Sequence, residues 1–132
     1  LMPQEEISMQ KDIWEHAHVW QKKLLEEFDL EKELDKSLYY YSGGQRKLIQ
    51  LMCLLSQKTE LLLLDEPFTH LDERACSFIM DWIEENKRLV GQSFIIVSHR
   101  LEPLINRSDY HIEISNNTLH YITEDNYGKE NN

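Results

Sequence analysis

Two adjacent carboxylates follow a run of four leucines near the middle of the chain. The run covers residues 61–64, and the acids are Asp65 and Glu66. A short, uniformly apolar run is typical of a buried parallel strand, and ligands in α/β proteins bind beyond the carboxyl ends of such strands. Neighbouring carboxylates repel each other, and a cation beside them relieves that repulsion. The pattern therefore favours a metal-binding or catalytic acid pair over acids that only cap a helix.

A second candidate site lies upstream, where two glycines open a predicted helix. The sequence is Ser42, Gly43, Gly44 and Gln45. Ser-x-x-Gln is a capping box, in which both side chains bond backbone amides. The capping box does not explain the glycines, each of which costs about 1 kcal/mol relative to Ala in a helix interior. Glycines also let an anion approach the amides at the positive end of a helix, so a structural cap and a phosphate site both remain open.

A histidine stands at the end of a second apolar strand. This strand is predicted over residues 93–98, and His99 follows it. An amphipathic helix separates the two strands, which implies a parallel pair with a right-handed crossover. A lone histidine is more often structural than functional. Because the carboxyl ends of parallel strands meet at one edge, we expect Asp65, Glu66 and His99 to gather there.

Hydrophobic periodicity and turn residues predict the remaining elements. Pro3 is excluded from helix interiors and Ser8 can cap a helix. Asp72 can cap the helix between the strands and Gly91 can end it. The predicted elements are an extended segment over residues 1–8, helices over 10–28, 30–38, 43–57 and 72–91, strands over 61–64 and 93–98, a hairpin over 110–122 that turns at Asn116 and Asn117, and a polar tail from 124. This order predicts an α/β fold.

Composition narrows the class of protein. With 132 residues, 41% hydrophobic and 29% charged, the chain has the makeup of one globular domain. The net charge of −10 argues against direct binding to nucleic acid or to anionic membranes, which needs clustered Lys and Arg. No run approaches the ~20 apolar residues that span a membrane, and the acidic N-terminus does not resemble a signal peptide. We expect Cys53 and Cys76 to be reduced core thiols in a cytoplasmic protein.

Taken together, these motifs resemble the C-terminal portion of an ATP-binding cassette (ABC) ATPase nucleotide-binding domain. Residues 41–45 resemble its signature motif, 61–66 its Walker B strand, 69–72 its D-loop, and His99 its switch histidine. The similarity extends over roughly residues 38–122. It implies a partial P-loop NTPase (RecA-like) parallel sheet with a small helical subdomain, in which the phosphate-loop strand is missing. The implied domains are a helical subdomain over 1–57, the C-terminal part of the α/β core over 58–123, and a tail over 124–132.

The resemblance also implies a mechanism, with ATP and Mg²⁺ as the ligands. Asp65 would bind Mg²⁺ through water, Glu66 would act as the catalytic base, and His99 would contact the γ-phosphate. Residues 42–45 would close over ATP held by a second nucleotide-binding domain, and Asp72 would couple the two sites. A transmembrane transporter subunit would be the other partner, and the chain would meet the membrane only through that subunit.

The chain departs from the family pattern at several points. Tyr41 stands where the family usually has Leu, and Thr69 and His70 stand where Ser and Ala are common. The phosphate-loop pattern G-x-x-x-x-G-K-[ST] does not occur in these 132 residues. Gln4 could end the family's Q-loop and serve Mg²⁺, or it could lie at a frayed end.

The missing strand predicts a further property. The family places the phosphate-loop strand beside the switch-histidine strand, so residues 94–97 would form an exposed apolar edge without it. We therefore expect this chain by itself to be inactive, and to aggregate, pair through that edge or swap elements with another copy.

The leading function is the ATPase subunit of an ABC transporter. The alternative is the C-terminal lobe of a DNA-repair or chromosome-maintenance ATPase of the same superfamily. Such lobes follow a long coiled coil, whereas residues 10–38 show no sustained heptads. The Asp-Glu-Pro sequence and the acidic charge also suit a transporter better. A third possibility is a non-catalytic fragment.

Overall fold

The computed structural model describes residues 4–30 and 41–122, with side chains described from residue 15 onward. The predicted helix over 30–38 therefore lies outside the described residues except for residue 30. The predicted tail from 124 lies wholly outside them. The elements are α1 (Gln4–Glu27), α2 (Gly43–Leu55), β1 (Leu61–Asp65), α3 (Glu73–Val90), β2 (Ser93–Val97), β3 (His111–Ser115) and β4 (Thr118–Ile122). Within the described ranges, no helix is long and apolar enough to cross a membrane.

The strands form two separate pairs. β1 and β2 are parallel, with Leu61 opposite Ser93 and Asp65 opposite Val97. β3 and β4 are antiparallel and are joined by Asn116 and Asn117, whose φ angles are 49° and 58°. Two consecutive left-handed residues are typical of the tight turns that connect hairpin strands. The predictions of a parallel pair joined through a helix and of a C-terminal hairpin are both confirmed.

Helix α3 lies between the parallel strands in the chain and supplies much of the core. The Asp72 side chain accepts a hydrogen bond from the Ala75 amide at 2.8 Å, and Gly91 ends the helix with a φ of 69°. Both caps agree with the sequence-based prediction. The buried residues of α3 recur at helical spacing, and they are Ala75, Cys76, Phe78, Ile79, Met80, Trp82, Ile83 and Asn86.

An aromatic cluster fixes α1 against α3. Trp20 stacks on Trp82 with ring centroids 5.8 Å apart, and it meets the edge of Phe78 at 5.3 Å. Phe28 meets Phe78 edge-on at 5.6 Å. Aromatic pairs add about 0.5–1.5 kcal/mol beyond the area they bury. The cluster therefore gives α1 a defined position relative to α3.

A buried amide connects all three helices. Asn86 donates to the Leu55 carbonyl and to Gln92 Oε1, both at 3.0 Å, and its own oxygen lies 3.1 Å from His16 Nε2. Gln92 in turn donates to Thr59 Oγ1 at 2.9 Å. A buried amide costs free energy unless it is hydrogen-bonded, so this network favours one arrangement of the helices.

Helix α1 begins earlier than predicted. The prediction placed residues 1–8 in an extended segment, whereas the helix already begins at Gln4, directly after Pro3. Glu5 and Glu6 lie in its first turn, where negative charge interacts favourably with the helix dipole. The periodicity of apolar residues misses this turn because its first three residues, Gln4, Glu5 and Glu6, are polar.

The prediction of fully buried strands is wrong for one face of the β1–β2 pair. Leu62 and Leu64 are buried, but half or more of the surface is exposed at Leu61, Leu63, Ile95 and Val97, with 50, 65, 54 and 54%. Parallel strands are normally covered on both faces, and the described helices cover only one face of this pair. Among the described residues β2 pairs only with β1, so its other edge is open as expected, but the exposed apolar side chains lie on one face of the pair and not along that edge.

The two cysteines also differ from expectation. Both are free thiols, and Cys76 is buried as predicted, but Cys53 is exposed. Cys53 follows the buried Leu51 by two positions, which places it about half a turn away from the face that α2 buries. Its prediction as a core thiol is therefore wrong.

Candidate functional site

The acid pair lies at the carboxyl end of β1, as predicted. Asp65 is the last residue of the strand and is exposed, and the Glu66 amide donates to the Val97 carbonyl at 2.7 Å. Glu66 has a φ of 48°, in the left-handed region that residues with a Cβ rarely adopt. Such backbone strain costs of order 1–3 kcal/mol and is concentrated at functional sites in proteins.

Glu66 and His99 are in direct contact. His99 Nδ1 lies 3.0 Å from Glu66 Oε1, and the His99 amide lies 3.2 and 3.3 Å from the two oxygens of the same carboxylate, to which it donates. The His99 side chain is 92% exposed. The expected convergence of the two strand ends is therefore present, and the exposed part of the imidazole can reach a ligand above this edge.

A tight turn connects the acid pair to α3. Thr69 donates to the Glu66 carbonyl through its amide at 3.4 Å and its hydroxyl at 3.1 Å, and the Leu71 amide donates to the Phe68 carbonyl at 3.1 Å. His70 has a φ of 67°, so the turn contains a second left-handed residue. Asp72 then caps α3, so the carboxylate that resembles the D-loop acid also has a structural role.

The capping box of α2 is present. Ser42 Oγ accepts from the Gln45 amide at 3.1 Å, and the Ser42 amide donates to Gln45 Oε1 at 3.0 Å. The first amides of a helix have no carbonyl partner within the helix. The box satisfies the amide of Gln45 and leaves those of Gly43 and Gly44 as donors of the first turn, which is where an anion would bind.

Gly44 has a packing role that sequence reasoning missed. A Cβ built on Gly44 would lie 2.8 Å from the carbonyl oxygen of His70, closer than real side chains approach. A Cβ on Gly43 would lie 3.5 Å from the His70 ring, which is an ordinary contact. The start of α2 therefore packs on the turn over residues 66–71. No sequence pattern pairs residue 44 with residue 70, because the contact joins two backbones.

Arg100 is a second residue that sequence reasoning missed. Its Nη1 donates to the carbonyls of Phe68 and Leu71, at 2.7 and 2.6 Å. It directly follows the predicted switch histidine, and this adjacency was the only signal that could have drawn attention to it.

Burial raises the pKa of the Cys76 thiol above its ordinary value. Nearby Arg100 opposes this effect, and Asp72 adds to it. The thiol lies below the turn and donates a weak hydrogen bond to the Leu71 carbonyl at 3.9 Å. Cys76 is buried, so it is a core residue, and its surroundings disfavour the reactive thiolate.

The site fits part of an ATP–Mg²⁺ complex. Within residues 15–30 and 41–122, no group of three or more Asp, Glu, His or Cys side chains could hold a metal ion. Mg²⁺ in nucleotide enzymes needs only one or two carboxylates, together with phosphates and water, so the exposed Asp65 is suitable. Gln4 is the first residue of α1, and the structure does not describe its side chain. Its role as a Mg²⁺ ligand therefore stays a prediction.

In the described residues, a parallel strand pair carries Asp65, Glu66 and His99 at its carboxyl edge. A solved chain from a study of ATP-driven dimerization and DNA-stimulated activation of SMC ATPases matches with a TM-score of 0.53 and 19% identity, over 66% of this chain and 56% of that one. At this identity the likeness concerns the fold alone. Residues 1–69 match the family model described as ABC transporter, and the chain belongs to that family.

Several relatives carry the name of ABC transporter ATP-binding proteins. The chain is 36% identical over 80 residues to one from Vibrio parahaemolyticus and 33% identical over 87 residues to one from Pyrococcus furiosus. It is 33% identical over 97 residues to the lipoprotein-releasing system ATP-binding protein LolD of Buchnera aphidicola. These alignments cover 61, 66 and 74% of this chain but only 14, 33 and 42% of the relatives. The chain therefore corresponds to less than half the length of each.

Proposed function

We propose that this chain supplies the signature motif, Walker B acids and switch histidine of an ABC transporter ATPase. The contact between Glu66 and His99 at the end of the parallel strands is the observation that carries the proposal. It brings a base and a second polar group to one edge of the sheet, and this edge is the expected ligand-binding position in α/β folds.

The roles of the side chains follow from their positions. Glu66 accepts a proton from the attacking water, and its carboxylate is oriented by the His99 amide. His99 presents an exposed ring that can donate to a terminal phosphate. Asp65 would hold Mg²⁺, and the bound ion would supply neutralisation of phosphate charge. Phosphoryl transfer depends mainly on positioning and charge neutralisation, so each group affects hydrolysis more than binding of ATP.

The start of α2 serves a nucleotide on another chain. We propose that Ser42, the amides of Gly43 and Gly44, and Gln45 close over ATP held by a second nucleotide-binding domain in a head-to-tail dimer. The positive end of a helix with unpaired amides is suited to a phosphate. Asp72, which caps α3 beside this region, couples the two sites.

The remaining partner is a transmembrane transporter subunit. The names of the relatives support this partner, and we propose that it contacts the helical subdomain predicted over residues 1–57. The ATPase then lies on the cytoplasmic side of the membrane and is held there by its partner. The acidic charge of −10 supports a role without direct contact with nucleic acid.

The proposal requires a phosphate-loop segment outside these 132 residues. We propose that the chain alone does not hydrolyse ATP, because the Lys and Ser/Thr of that loop hold the β- and γ-phosphates and the metal. Combining the chain with a segment that carries the loop, on one polypeptide or in trans, should produce Mg²⁺-dependent hydrolysis. Absence of hydrolysis in every such combination would favour a non-catalytic fragment.

The substitution Glu66→Gln tests the catalytic assignment. It keeps the shape of the side chain but removes the base, so the assembled ATPase should lose hydrolysis and accumulate as an ATP-bound dimer. Loss of one general base typically costs about 10²–10⁴-fold in rate. The matched control is Glu60→Gln, an exposed acid just before the opposite end of β1, and this variant should hydrolyse ATP normally. Wild-type turnover in Glu66→Gln would remove Glu66 from the role.

The transporter and DNA-associated alternatives can be separated by two measurements. A transporter subunit should bind and be stimulated by a membrane protein, and its ATPase rate should not change with added DNA. Stimulation by DNA without any membrane partner would favour the alternative.

A further inference from the structure

Arg100 connects the end of β2 to the turn over residues 66–71. Its Nη1 donates to two backbone carbonyls, those of Phe68 and Leu71, at 2.7 and 2.6 Å. These carbonyls stand on either side of Thr69 and His70. A single guanidinium nitrogen therefore holds the residue before the segment that resembles the D-loop, Phe68, and one residue within it, Leu71.

The backbone of Arg100 is itself fixed. Ser98 Oγ accepts from the Arg100 amide at 3.0 Å and donates to the Arg100 carbonyl at 2.9 Å. The Arg100 residue is half-buried. A half-buried cation with a fixed backbone loses little conformational freedom when it forms its hydrogen bonds, and charge-assisted bonds are stronger than neutral ones.

The turn requires such support. Glu66 and His70 both have left-handed φ angles, which disfavour residues with a Cβ. The side chains of Phe68 and Leu71 are buried, so the turn is held to the core at the same two residues whose carbonyls Arg100 binds. Strained backbone persists only where the surroundings over-determine it.

The position of this turn also affects α2. The carbonyl oxygen of His70 lies where a Cβ on Gly44 would clash, at 2.8 Å, so the two backbones are in close contact. A shift of the turn would therefore move the backbone against which the start of α2, the helix that begins in the signature motif, packs. Arg100 thus connects the strand of His99, the turn before Asp72 and the start of α2.

We propose that Arg100 is a positioning residue for ATP hydrolysis, which sets the D-loop and, through Gly44, the start of the signature helix. This inference rests on the proposed function. Arg100 touches no reacting group and acts through the backbone of residues 68–71. Its loss should slow closure and turnover, while the affinity for ATP at the phosphate loop stays nearly unchanged.

The test compares Arg100→Met, Arg100→Lys and the control Arg88→Met in the assembled ATPase. Arg88 is an exposed residue of α3 that pairs with Glu85. Misplacement of catalytic groups by about 1 Å can cost up to about 10²-fold, so Arg100→Met should lower kcat at least about tenfold, with KM for ATP within about threefold. Arg100→Lys keeps the positive charge but replaces the planar guanidinium by one ammonium nitrogen, so it should restore part of kcat. Arg88→Met should match the wild type.

Two further measurements keep the proposal falsifiable. Hydrogen exchange at the Leu71 amide, which donates to Phe68, should be faster in Arg100→Lys than in Arg88→Met. If Arg100→Met does not fold, Arg100→Lys provides both kcat and exchange. If kcat and the exchange of Leu71 are both unchanged in Arg100→Met, or in Arg100→Lys where Arg100→Met does not fold, the inference is wrong. If the wild-type chain assembled with a phosphate-loop segment has no ATPase activity, the proposed function fails. Hydrogen exchange at the Leu71 amide still decides whether Arg100 holds the turn.

Discussion

The two glycines at the start of α2 should respond differently to the same substitution. Gly43→Ala would place a methyl group 3.5 Å from the His70 ring, which is a normal contact. Gly44→Ala would place one 2.8 Å from the His70 carbonyl oxygen, which is part of the backbone and cannot rotate away. Each variant is therefore the matched control for the other, since the two sites differ mainly in this distance.

The expected magnitudes follow from two opposing effects. Replacing a glycine in a helix by alanine gains up to about 1 kcal/mol in folding stability. Overpacking that forces a backbone shift costs about 1–3 kcal/mol. Gly43→Ala should therefore be neutral or stabilised by up to about 1 kcal/mol, whereas Gly44→Ala should be about 1–3 kcal/mol less stable than Gly43→Ala.

Urea denaturation of the purified protein measures both variants under the same conditions. The midpoint of Gly44→Ala should fall below that of Gly43→Ala, with similar slopes if both unfold to the same extent. Under the proposed function, both variants should also weaken ATP-driven dimerisation, because both add a methyl group where a phosphate approaches. Equal or higher stability of Gly44→Ala relative to Gly43→Ala would refute the close contact with His70.

Three other predictions concern the core, the thiols and the cap of α3. Trp82→Ala should destabilise the protein by about 3–5 kcal/mol, seen by thermal unfolding, because it removes a fully buried ring from the aromatic cluster. Iodoacetamide at pH 8 should modify Cys53 and spare Cys76, and equal rates at the two sites would contradict the structure. The raised pKa of Cys76 also means that its contribution to stability is complete below its ordinary value of 9.0 and is lost as pH rises through the higher folded value. Asp72→Ala should cost about 1 kcal/mol through loss of the cap, whereas Asp72→Asn should keep stability, as unfolding curves would report.

The local features and the edge of the sheet that carries Glu66 and His99 could be predicted from the amino-acid sequence. The caps at Ser42, Asp72 and Gly91 depend on residue types at fixed short spacings, and all three are present in the structure. The parallel pairing followed from two apolar strands separated by one amphipathic helix. The contact of Glu66 with His99 followed in turn, because the ends of adjacent parallel strands must lie together.

Which surfaces are covered and which backbone segments are in contact depends on how the elements pack in three dimensions. The exposure of Leu63 and Ile95 depends on whether a second layer covers that face of the strands. The apolar sequence of the strands is the same whether the face is covered or open. The approach of Gly44 to His70 and the reach of Arg100 to Phe68 join residues 26 and 32 positions apart. Hydrophobic periods and capping motifs report interactions within a few residues, so contacts over such separations depend on how the elements pack.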